Sequence, residues 1–194
     1  MSAAFDFSFD LPAQPIRDVD LLRQLPFVAG LKEILMLRQI HALEHATVWI
    51  LSESAGFNRI DLGGLSTDKG FYIYGEVNLI DLQRAVRLAL RRLTHGEDNL
   101  AIHPRCGTNV SVEMLLTATF ALSMHLLLPR GLIEQLIGFG IAAQVASQLA
   151  PDVGSLAQKY ITTAVPFNLE IDNIAVKRDE WGQKAYFVAV WWIE

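Results

Sequence analysis

Between residues 110 and 150 the chain carries two long apolar runs separated only by Pro129-Arg130-Gly131, and no other feature restricts the fold as much. Residues 110–128 give 19 positions at which only Glu113 and His125 are ionisable. A helix of that length spans about 28 Å at roughly 1.5 Å per residue, close to the hydrocarbon thickness of a bilayer. Residues 132–150 are also apolar but are interrupted by Glu134, Gln135, Gln144 and Gln148. With proline and glycine between them, the two runs read as a helical hairpin. Its apolar surface needs lipid, a partner protein or a second copy of the chain to cover it. The composition agrees: 52% of residues are apolar and 19% charged, greasier than an ordinary soluble domain. We read membrane association first. The alternative is a hairpin buried in a soluble cytoplasmic protein or a homo-oligomer interface, which Glu113, His125 and the polar positions of the second run would suit.

Around the hairpin the sequence predicts a mainly helical α+β fold. Residues 1–26 hold Pro12, Pro15 and Pro26 among alternating charges and read as an N-terminal arm with one short helical piece at 18–25. Acidic residues stand where a secretory signal needs a basic start, so no signal peptide is expected. Residues 27–194 read as one domain. Its first element is a long helix over residues 27–53, free of proline, with Leu31, Ile34, Leu35, Ile40, Leu43, Val48 and Leu51 at helical spacing and Gly56 and Asn58 as its stop. A hairpin over 61–75 turns at Thr67-Asp68-Lys69-Gly70. Asn78 caps a second helix with Leu82, Val86, Leu90 and Leu93 on one face and four arginines elsewhere, ending near His95-Gly96. Those arginines read equally as a solvated face or as a contact for anionic lipid. Residues 99–106 read as extended, and residues 168–193 as a C-terminal β-hairpin.

The net charge of −5 excludes a general nucleic-acid binder, which needs clustered Lys and Arg to displace counterions. One cysteine excludes an intramolecular disulfide. The chemistry-bearing residues fall into two clusters. In His41-Ala42-Leu43-Glu44-His45 two imidazoles stand at i and i+4, on one face of a helix, where both can reach one ion. This H-x-x-E-H order inverts the common zincin motif, and in proteins built that way the glutamate serves as general base. In His103-Pro104-Arg105-Cys106-Gly107 an imidazole and a thiol stand three residues apart on a proline- and glycine-shaped loop. Together these supply a candidate ligand set of His41, His45, His103 and Cys106 for zinc or a similar divalent transition metal, with Glu44 as candidate base. The bland alternatives are surface histidines, a capping His103 and a buried Cys106 acting as a small hydrophobe.

The two segments resemble the YqhQ-like bacterial family of predicted metal-dependent membrane proteins. Its pattern has an H-x-x-E-H segment, a glutamate several residues later, and an H-P-R-C-G-T segment before apolar helices. Here these are His41, Glu44 and His45, then Glu53, then His103-Pro104-Arg105-Cys106-Gly107-Thr108. The resemblance covers about a third of the chain. It implies metal binding by His41, His45, His103 and Cys106, a base role for Glu44, and a further ligand or supporting role for Glu53.

Three functional readings follow. In a metal-dependent hydrolase, Glu44 would take a proton from a metal-activated water. In a non-catalytic structural or assembly protein, four protein ligands would close the site, and the 110–150 hairpin would dock a membrane or partner protein. A Cys106 nucleophile activated by His103 ranks third, because no orienting group accompanies the pair. If the hairpin spans a bilayer, the arginines flanking it would keep both termini cytoplasmic.

Overall fold

The computed structural model describes residues 18–54 and 62–193. Most of the expected N-terminal arm, and the stop expected at Gly56 and Asn58, lie outside the described residues. The short helix expected near 18–25 is α1, Asp18–Gln24.

The long helix, α2, runs over Leu31–Ser54 and starts four residues later than its hydrophobic pattern suggests. Residues 26–30 turn instead, and Gly30 adopts φ +80°, the left-handed region that a residue with a Cβ avoids. Every residue of α2 from Ala42 to Val48 is buried, including Glu44, His45 and Thr47. Its apolar side chains are not confined to one face, as expected of a helix enclosed on all sides.

Two β-hairpins and a helix provide that enclosure. β1 (Gly63–Thr67) and β2 (Gly70–Tyr74) form the expected hairpin around Asp68 and Lys69. β3 (Leu169–Arg178) and β4 (Lys184–Trp192) form the second. The two hairpins join through β2 and β4 into one antiparallel sheet in the order β1-β2-β4-β3, with Phe71 opposite Val188. The join needs Gly70, at φ +145°, because a Cβ there would run into the carbonyl oxygen of Val188. Phe71, Ile73, Val188 and Val190 of the sheet share one core with Ile40, Leu43, Ala46 and Leu51 of α2. α3 (Leu79–Thr94), capped by Asn78 as expected, closes that core with Leu82, Val86, Ala89 and Leu93.

The segment 99–106 is extended only in part: Asp98–Ala101 form a 3-10 turn, Ile102 is extended, and the chain then bends tightly at Pro104 and Arg105, in the expected proline- and glycine-shaped loop. The run of polar Asp98, Asn99 and Glu97 favours local turns over a strand, which the alternation of apolar residues did not reveal.

α4 (Gly107–Leu127) and α5 (Leu132–Ala157) make the expected helical hairpin. α5 continues past the expected end at residue 150, through Pro151, into a π-turn at Gln158–Thr162. No residue of α4 is buried, and α5 buries Gly138, Ala142, Ala146, Ala150 and Gly154. These five recur every fourth residue and form one stripe facing α4. A Cβ on Gly138 would lie 2.6 Å from Leu128 Cδ1 and 3.2 Å from Met124 Cβ, so the helices touch almost backbone to backbone there. The large apolar side chains point outward: Met114, Leu115, Leu126, Ile133, Leu136 and Phe139 are each more than half exposed.

Candidate metal centre

His41 and His45 project from one face of α2, one turn apart, as their spacing requires. Cys106 reaches them from the residue before α4, where it is the helix N-cap and accepts a hydrogen bond from the Thr108 N–H at 3.3 Å. Its Sγ lies 3.3 Å from His41 Nε2, and the candidate ligand atoms of His41, His45 and Cys106 all fall within 4.8 Å of one another.

The rest of each imidazole is committed elsewhere. His41 Nδ1 lies 3.0 Å from the carbonyl of Thr162, and His45 Nδ1 lies 2.6 Å from that of Ala101. A carbonyl can only accept, so both Nδ1 atoms carry a proton, and both Nε2 atoms are left on the side of the thiol. Donation of the second ring nitrogen to a carbonyl is the arrangement that orients metal-binding histidines and raises their basicity. The donor set therefore fits a transition-metal ion: two imidazoles and one thiol converge within 4.8 Å of one another. Burial pushes the Cys106 thiol up, but hydrogen bonds from His45 and Thr108 outweigh it and hold the thiol below its usual range, favouring the thiolate a metal needs.

His103 is near this group but not of it. Its ring centroid is 5.7 Å from that of His45 and 4.8 Å from the Trp49 ring, and its Nδ1 accepts the Arg105 N–H at 3.2 Å. Burial, then the neighbouring His45 and Arg105, pull its pKa down to about 4, so it is neutral at physiological pH. The imidazoles that neighbour the Cys106 thiol are thus those of His41 and His45, not the His103 partner required by the nucleophile reading. Glu53 lies eight residues beyond His45, about 12 Å further along the helix, and instead stands 3.6 Å from Arg92 in an exposed ion pair. It supports no ligand.

Glu44 is buried and shares a cleft of about 620 Å³ with His41, His45, His103 and Cys106. Burial raises its pKa, while a hydrogen bond from Ser66 and the proximity of His41 act in the opposite direction. Ser66 Oγ donates to Oε2 at 2.8 Å, and Gly64 of β1 packs so tightly on the carboxylate that a Cβ there would overlap Oε1.

Several residues that build the centre carry no sequence signal. Gln158, fully buried in the π-turn, accepts the His103 N–H at 2.8 Å through Oε1 and donates to Asn109 Oδ1 at 2.8 Å. Asn109 in turn donates to the Pro104 carbonyl. This chain of bonds fixes the 103–107 loop to the base of the helical hairpin. Arg38 donates to the carbonyls of Thr163 and Tyr160, beside the Thr162 carbonyl that holds His41.

Residues 36–174, which contain both motifs and the hairpin, match the family described as a domain of unknown function, DUF6391. The chain belongs to the DUF6391 family. It is 49% identical over 186 residues to an uncharacterised protein of Picosynechococcus sp., covering 92% of this chain and 91% of that protein. No solved structure matches the chain. The likeness to the YqhQ-like family rests on the two motifs alone.

Proposed function

We propose that this DUF6391 protein is a membrane-anchored, zinc-dependent hydrolase in which Glu44 is the general base. The observation that carries the reading is the convergence of three donors, with both imidazoles held through Nδ1, on the wall of a cleft that also contains a buried carboxylate. His41, His45 and Cys106 would hold the ion with three donors, a number that leaves room for a water, as catalysis requires. The bound ion would supply Lewis acidity that makes a water nucleophilic near neutral pH. Glu44 would serve as the base that takes a proton from the attacking water and returns it to the leaving group as the scissile bond breaks.

The apolar hairpin supplies the anchor. Its large side chains face outward and its helices are held together by small residues, an arrangement suited to lipid. Arg105 and Lys159 stand near its base and Arg130 at its tip. Together with the arginines of α3, the base carries the greater positive charge, which favours a cytoplasmic catalytic part.

One observation favours a second reading. The ring of His103 is close enough to His45 that a modest movement of the 103–107 loop would add a fourth donor and close the site, giving a structural zinc centre. The two readings differ on cobalt(II)-substituted protein. An open site changes its visible spectrum when a small competing ligand is added, and a closed site does not. Purified protein is expected to hold about one equivalent of metal, which His41→Ala and Cys106→Ala each remove. Glu44→Gln is expected to retain the metal; in the hydrolase it lowers turnover by at least about a hundredfold. A metal-free, fully folded preparation from metal-supplemented growth would refute the centre.

A further inference from the structure

β1 is an edge strand. β2 covers one of its sides, and among the described residues no strand pairs with the other. Thr67 and Gly70 flank a two-residue turn and so exchange hydrogen bonds. Antiparallel pairs alternate, which makes Leu65–Tyr72 and Gly63–Tyr74 the next bonded pairs and directs the N–H and C=O groups of Gly64 and Ser66 away from β2.

This edge lies on the cleft. Residues Gly63, Gly64, Leu65 and Ser66 line it together with His41, His45 and Cys106. The strand is also locked to the proposed base, through the Ser66 hydrogen bond to Glu44 and the close seat of Gly64 against the same carboxylate. Exposed edges are usually blunted by lysine, proline or a bulge. The sequence Gly-Gly-Leu-Ser-Thr has no such device, and its pairing with β2 shows no register shift. The cleft further exposes Ile34, Leu37 and Ile161, at 58%, 41% and 67%. Ile161 lies in the π-turn that follows α5, and Gly107 and Thr108 at the start of α4 line the same cleft. The mouth therefore lies where the helical hairpin leaves the globular part.

We propose that the cleft takes an extended apolar peptide segment, which adds as a strand to the outer edge of β1 and so presents one of its carbonyls at the metal centre. This rests on the hydrolase reading above and names its substrate class. Main-chain groups at period-two spacing are what a peptide backbone pairs with, while apolar pockets beside them take alternate side chains. An acyl lipid would fill the apolar pockets and leave the N–H and C=O groups of Gly64 and Ser66 unused. In the reaction the peptide C–N bond breaks, the carbonyl carbon bonds to the water oxygen, and Glu44 carries the water proton to the departing amine.

Three hydroxamates with one metal-binding head test this on full-length cobalt(II)-substituted protein in detergent: acetohydroxamate, a leucine-rich tripeptide hydroxamate and dodecanoyl hydroxamate. The peptide is expected to perturb the cobalt spectrum at a concentration at least about tenfold below acetohydroxamate, and N-methylation of its pairing amide to remove that gain. Ser66→Pro, which deletes an outward N–H, is expected to lose the same gain relative to Ser66→Ala, which keeps it. If acetohydroxamate perturbs the spectrum and the peptide binds no better, or N-methylation costs nothing, the peptide proposal is overturned while the open metal site stands. A gain confined to the dodecanoyl compound overturns it in favour of an acyl substrate. If none of the three acts, the open site itself fails, and the hydrolase reading and this inference fall together.

Discussion

An imidazole presents a chosen nitrogen to a metal only when its other nitrogen has a fixed partner, and at His41 and His45 those partners are carbonyls 121 and 56 residues away in sequence. The i, i+4 spacing of the histidines is local and could be read directly, as could the short His-Pro-Arg-Cys loop. The choice between His103 and Cys106 was not legible. It depends on Cys106 becoming the N-cap of α4 while Gln158 holds the His103 main chain in place. The environment of His103 makes a prediction about acid. Its folded pKa, about 4, lies below the ordinary value of 6.5 because burial and the neighbouring His45 and Arg105 disfavour the proton. The unfolded chain thus binds more protons between these values, and stability must rise with pH across that window. Chelator-treated protein in detergent should lose thermal stability steadily as pH falls from 6.5 towards 4. His103→Gln should flatten that slope, measured by tryptophan fluorescence melts. An unchanged slope in the variant would assign the acid sensitivity to other groups.

At the scale of elements, the local sequence pattern located α2, α3, both β-hairpins and both long apolar helices: periodic spacing for α3, proline-free apolar-rich stretches for α2 and for the bodies of α4 and α5, and turn residues for the hairpins. It could not show that the two hairpins share one sheet, since the β2–β4 pairing joins segments more than a hundred residues apart. Nor could it show that α5 continues through Pro151, a residue that ordinarily ends a helix. The stripe of small residues runs on unbroken to Gly154, where a Cβ would strike the Asn109 side chain. This close approach has two consequences. Gly138→Leu should overfill the seam against Leu128 and Met124 and cost about 1–3 kcal/mol, a range typical of overpacking, read as a lower melting temperature in detergent. Gln158→Leu should act further away: with the His103 N–H and Asn109 Oδ1 both unpaired, the 103–107 loop loses its tie to the base of the hairpin. Metal affinity is expected to fall about tenfold or more, as when outer-shell partners of ligands are removed. Competition with a chromogenic chelator measures it, and an unchanged affinity would mean that the loop holds Cys106 without Gln158.

For the whole molecule, the question is what covers α4 and α5. A soluble core helix of such composition would be mostly buried, but none of the apolar window of α4 is, and 17% of that of α5 is. The side chains that do turn inward are the small ones, so the hairpin is closed by its own seam, and among the described residues nothing covers the large apolar side chains on its outside. A spanning hairpin places Arg130 on one side of a bilayer and the sheet, α3 and the metal centre on the other. Impermeant maleimide distinguishes this from a hairpin lying flat or buried between copies. In a Cys106→Ser background, which leaves no other cysteine, Arg130→Cys should label only from the extracytoplasmic face of intact cells. His95→Cys, exposed at the end of α3, should label only after the membrane is opened. Labelling of both positions from one side would exclude the spanning topology, and a monodisperse monomer in detergent-free buffer would exclude it independently. The outcome also bears on chemistry. If the hairpin spans, the cleft mouth between α2, the start of α4 and Ile161 sits at the bilayer surface, and any substrate must reach Glu44 there rather than from bulk water.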